Sequence, residues 1–225
     1  MRILAIDTTT PSGSGAVLED GRLLAKFEDA SPTSHSARLL ASVEGMLALL
    51  GLGIRDIDAF AVTTGPGSFT GIRIGLSTVK AFAFASGRPV APVSSLRALA
   101  WKFRDDPGLA APMLDAKKGE VYAAVFRVGP GGLEELVPQG AYAPEEFLES
   151  VPRGEPIRLI GTGITVCGER IAAILGPNAH LSTLPPFIGP EVGMLGFGIL
   201  AAGGGVAAEA LEPLYFRRSQ AEDKH

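Results

Sequence analysis

The sequence predicts an α/β chain of two lobes, the second repeating the element order of the first. Three observations carry this. Apolar residues make up 46% of the 225 and charged residues 20%, enough apolar material for a sizeable core and too little charge for a disordered chain. A buried-strand pattern ending in an acid occurs twice, as "RILAID" at 2–7 and within "AAPMLDA" at 110–116. Each is followed by the same succession of strand, strand, helix, strand and glycine-rich turn.

In the first half, "GSGAVL" (13–18) and "RLLAKFE" (22–28) read as strands joined at Asp20-Gly21, a strong hairpin signal. A helix follows in "SPTSHSARLLASVEGMLALLG", where Leu39, Leu40, Val43, Met46, Leu47 and Leu50 recur at helical spacing and Gly51 supplies a stop. "DAFAVTTG" (58–65) is a buried strand, the turn "GPGSFTG" opens a helix from about Thr70 to Ser86, and "PVAPVS" is a short strand. In the second half, "GEVYAAVFRV" (119–128) and "LEELVPQGAY" are strands around the turn "GPGG" (129–132). "APEEFLESV" is a short helix, and "PIRLIGTG" is a strand running into glycines.

Three antiparallel strands, a helix and a further strand, given twice, is the order of a duplicated ribonuclease-H-like fold, the actin-like ATPase (ASKHA) architecture. Such folds place two α/β lobes around a cleft, which holds a nucleotide in the phosphotransferases of the class. The turn "RDDPG" (104–108) marks the join, giving an N-terminal lobe at 1–104 and a smaller C-terminal lobe at 105–225. The last helix, near 189–205, is assigned to the second lobe. Asp7 and Asp115 hold equivalent places in the repeat.

Composition excludes several classes. A net charge of −4 argues against a large basic surface that binds nucleic acid unaided. The single cysteine, Cys167, lies among apolar neighbours and reads as a core thiol in a reduced compartment. No apolar run reaches the ~18 residues of a membrane span, and the N-terminus lacks a signal-peptide layout. The expected location is the cytoplasm. Only His35, His180 and His225 are available as histidines, with no pair at i, i+4 and no H-E-x-x-H, so no metal site is expected. No G-x-S-x-G is present either.

Two places remain as candidates for phosphate contact. Asp7 ends a buried strand and is followed by Thr8, Thr9 and Thr10, a carboxylate with hydroxyls and backbone N–H groups beside it. Gly65 and Gly67 permit close backbone approach, and Ser68 can cap the helix whose first-turn N–H groups could receive an anion. Yet "GPGSFTG" is not a P-loop, because no lysine stands where one is needed. Along this helix Ile72, Leu76, Val79 and Ala83 form an apolar stripe, and Arg73, Ser77 and Lys80 a polar one. Gly71 and Gly75, four apart, would let another helix pack close. Asp115, Lys117, Lys118 and Glu120 cluster on a turn between strands, read as a solvated hairpin tip or a contact with a partner or nucleotide.

"ILAIDTTT", "SHSARLLASVEGML", "VTTGPGSFTGIRIGLSTVKAFA", "LDAKKGEVYAAVF" and "EPLYFRRSQAE" together resemble the bacterial TsaB (YeaZ) family, over nearly the whole chain. That family is similar to the TsaD/Kae/Qri proteins, long labelled glycoprotease-like. The resemblance implies a role in making N6-threonylcarbamoyladenosine in tRNA, as the non-catalytic partner of a TsaD-type transferase, with a TsaE-type ATPase as third component. It implies pairing through the helices at 36–50 and 70–86, in a heterodimer or a homodimer, with Leu39, Val43, Met46, Leu50, Ile72, Arg73, Leu76, Val79 and Lys80 as candidate interface residues. Where TsaD-type proteins carry a histidine pair on the helix after the third strand, the 36–50 helix has an apolar stripe and no histidine. No intrinsic cofactor is expected; ATP or ADP would sit at the interface shared with the transferase, and tRNA would be met only through the complex. The alternative is an enzyme in its own right, a phosphotransferase or a glycoprotease-like metallopeptidase.

Overall fold

Asp20 and Gly21 both take positive φ, 49° and 80°, as a two-residue hairpin between right-twisted strands requires. They join β2 (Gly13–Glu19) to β3 (Arg22–Asp29). Strand β1 (Arg2–Asp7) pairs antiparallel with β2, from Arg2↔Glu19 to Asp7↔Ser14. The computed structural model describes residues 1–10, 13–29 and 35–216. Helix α1 (His35–Leu49) begins one residue before its predicted start, so its first residue is a histidine. The chain turns at Gly51, φ 67°, where only glycine is unstrained. Strand β4 (Ala59–Gly65) lies parallel to β1, helix α2 (Phe69–Ser86) follows, and β5 (Val90–Ser94) lies parallel to β4. The first sheet therefore has the order β3-β2-β1-β4-β5.

The second sheet repeats that plan. After α3 (Ser95–Trp101), strands β6 (Gly108–Lys117), β7 (Glu120–Gly129) and β8 (Gly132–Tyr142) form an antiparallel meander. Helix α4 (Pro144–Ser150) leads to β9 (Ile157–Ile160), which lies parallel to β6. Where the first unit has one long helix, the second has two short ones, α5 (Ile164–Cys167) and α6 (Arg170–Leu175), separated at Gly168 with φ 54°. Strand β10 (Ala179–Leu181) then lies parallel to β9, giving the order β10-β9-β6-β7-β8. In both sheets the first strand is central, with a hairpin on one side and two parallel strands on the other. The predicted duplication of an actin-like α/β unit is present in the strand order itself.

The predicted lobe boundaries need correction. The compact units are Met1–Ser95 with Phe187–Leu214, and Leu96–Pro186 with Tyr215 and Phe216. Helix α7 (Gly189–Ala201) thus belongs to the first unit, not the second. The reason lies in the first sheet, whose two faces are both apolar. Leu4, Ile6, Val17, Phe60 and Val62 pack with α1 and α2, so by strand alternation Ile3, Ala16, Leu18 and Ala61 face the other way. Those residues are fully buried too, and α7 covers them. Its glycines make this possible: Gly193 lies on Leu18, Gly196 on Ala61 and Gly189 on the Gly15 backbone.

The second unit has its own core, in which Leu109, Met113, Val121 and Val125 pack with Phe147 and Leu148 of α4 and Ile171 of α6. Cys167 is fully buried there, as a core thiol; burial pushes its pKa up to about 11. Among the described residues no helix is long and apolar enough to cross a membrane.

Candidate functional site

The threonine turn after β1 and the glycine turn after β4, the two candidates for phosphate contact, are brought together and bond to each other. The Asp7 carboxylate is fully buried, and its Oδ1 accepts from the Thr9 N–H at 3.0 Å, the Thr9 hydroxyl at 2.6 Å and the Thr63 hydroxyl at 2.8 Å. Thr8 Oγ1 donates to the Gly71 carbonyl at 2.7 Å, and the Ser68 N–H donates to the Thr9 carbonyl at 2.7 Å. Ser68 caps α2 as predicted, its Oγ accepting from Gly71 N–H at 3.2 Å. From outside, the Ser95 hydroxyl donates to the Pro66 carbonyl, and the Leu214 N–H donates to the Thr64 carbonyl at 2.8 Å.

The glycines serve this arrangement. A Cβ on Gly67 would overlap the Thr9 carbonyl, one on Gly71 the Thr8 carbonyl, and one on Gly75 the Thr8 hydroxyl. The neighbour that approaches Gly71 and Gly75 is therefore the threonine turn of the same unit, not a second helix. A phosphate at a helix N-terminus needs free first-turn N–H groups and open space before them. Here the Ser68 and Gly71 N–H groups are engaged, and the space over Gly67 and Gly71 is filled by residues 8 and 9. Asp7, Thr8, Thr9 and Gly65 are buried, Gly67 is half-buried and Ser68 is exposed; together they form a brace linking β1, β4 and α2.

The second unit closes its glycine turn the same way. Gly163 N–H donates to the Met113 carbonyl at 2.9 Å, and a Cβ on Gly161 or Gly163 would overlap Met113. Asp115 differs from Asp7 in being partly exposed. Its Oδ1 accepts from the Lys117 N–H at 2.7 Å, and its Oδ2 pairs with Lys117 Nζ at 2.8 Å. Desolvation pushes this carboxyl up, but the hydrogen bonds from Lys117 outweigh it and hold the pKa below its ordinary value. Lys118 and Gly119, with φ 55° and 79°, make the hairpin turn, and Lys117, φ 63°, sits beside an irregularity in the β6–β7 register. The solvated hairpin tip is the reading this geometry supports.

The candidate interface residues fall into two groups. Leu39, Val43, Met46, Ile72, Leu76 and Val79 are buried in the first unit's own core, and Leu50 packs against it. The six buried side chains are turned into this core, whereas Leu50 is half-buried. Arg73 is exposed and its guanidinium lies 3.9 Å above the Phe69 ring; Lys80 is half-buried. The outward faces carry other residues. On α1, Ala41, Gly45 and Ala48 are exposed, with Leu40 at 51% and Leu49 at 87% exposure. On α2, Ser77, Ala81 and Ala85 are exposed, with Phe84 at 75%. Leu49 and Phe84 lie off the predicted apolar stripes, which is the sequence signal that could have found them; Leu40 falls within the predicted helical spacing, yet it is exposed.

Among the described residues no group of three or more His, Cys, Asp or Glu side chains is placed to hold a metal ion. The family model described as "TsaD: tRNA N6-adenosine threonylcarbamoyltransferase" matches residues 28–211. A curated relative, the "tRNA threonylcarbamoyladenosine biosynthesis protein TsaB" of Escherichia coli (strain K12), is 33% identical over 235 residues, covering 100% of this chain and 98% of the relative. The chain belongs to the TsaB (YeaZ) family. The solved structure "YeaZ from Pseudomonas aeruginosa" superposes with a TM-score of 0.82 at 32% identity, covering 95% of this chain and 99% of that one. The ROK hexokinase from Thermus thermophilus, at 12% identity and a TM-score of 0.54 over 90% of this chain and 100% of that one, shares the fold alone. The TsaB fold is thus an actin-like pair of units. In this member both glycine turns are closed on their own first strands.

Proposed function

We propose that this TsaB-family chain acts in the biosynthesis of N6-threonylcarbamoyladenosine in tRNA as the non-catalytic partner and activator of a TsaD-type transferase. The observation that carries this reading is the brace at Asp7, where Oδ1 accepts from the Thr9 N–H and the Thr9 and Thr63 hydroxyls and Thr8 bonds to Gly71, so that these groups are engaged within the unit rather than offered to a substrate. The match of the transferase family model to this chain supports a partner built on the same fold. The docking surface is the outward face of α1 and α2. Small residues there allow close helix approach, and Leu40, Leu49 and Phe84 offer apolar anchors. The same face serves a homodimer when the transferase is absent.

The transferase contributes the chemistry. ATP or ADP belongs to the interface shared with it, a TsaE-type ATPase joins as third component, and tRNA meets this chain only through the complex, in the cytoplasm. The test is reconstitution. The chain and the transferase should co-elute on size-exclusion chromatography, and tRNA modification should be lost when the chain is omitted. Full modification by the transferase alone, or Asp7-dependent turnover by the isolated chain, would overturn the proposal.

A further inference from the structure

We draw no further inference here: the strongest candidate, the outward face of α7 in the first unit, with Met194, Leu195 and Ile199 half-buried and no charged residue between Glu191 and Glu209, is an apolar face for which nothing in the structure shows what covers it.

Discussion

Gly71 and Gly45 sit in neighbouring helices and meet opposite demands. A methyl group on Gly71 overlaps the Thr8 carbonyl, whereas one on Gly45 meets nothing within 4 Å. Gly71→Ala is expected to destabilise the chain by about 1–3 kcal/mol through overpacking, despite its better helix propensity. Gly45→Ala should stabilise it by about 0.5–1 kcal/mol, because only the backbone entropy changes. Urea unfolding of the two variants checks both signs. Asp7→Ala leaves two buried hydroxyls and a buried N–H without their acceptor, and should cost about 3 kcal/mol or more; Asp7→Asn, which keeps one carbonyl oxygen, should cost less. Unchanged urea midpoints for both would show that the brace does not hold the turn. The sequence made these residues visible as a group, because an acid followed by hydroxyls and a run of glycines both announce close approach. It did not reveal what approaches. A glycine records that space is needed; only the folded chain shows Thr8 and Thr9 filling it.

Each helix of the first unit presents two faces with different tasks. The stripe Leu39–Val43–Met46 on α1 and the stripe Ile72–Leu76–Val79 on α2 were legible from periodicity alone, and both are buried. Periodicity could not assign them to core or partner, because both uses need the same apolar spacing. Residues that break the stripe carry that information. Phe84→Glu replaces an exposed aromatic and should change the unfolding free energy by less than about 0.5 kcal/mol. On the docking face proposed above it should weaken the transferase complex at least about tenfold. Leu49→Glu should act in the same direction. Isothermal titration of the two variants against the transferase measures this, and wild-type affinity in both would remove the α1–α2 face from the proposal.

Across the whole molecule, the duplication was legible and the partition of the chain was not. Strand order follows from local patterns and turn residues, which recur in each half. The destination of α7 does not, because an apolar, glycine-rich helix fits either sheet. It is fixed by the uncovered face of the first sheet, where Leu18 and Ala61 lie under Gly193 and Gly196. A fragment of residues 1–104, lacking α7, should therefore expose that face. It should aggregate or unfold without a cooperative transition in circular dichroism, while a soluble fragment with a sharp transition would show that the first unit does not need α7. The closed glycine turns bear on the larger question of where the chemistry resides. The most direct measurement is tRNA modification by the TsaD-type transferase supplied with saturating Asp7→Asn chain, after titration has shown that the variant binds. Activation equal to the wild-type chain is the result expected of a non-catalytic partner. Normal binding with modification abolished would place Asp7 in the chemistry and contradict it.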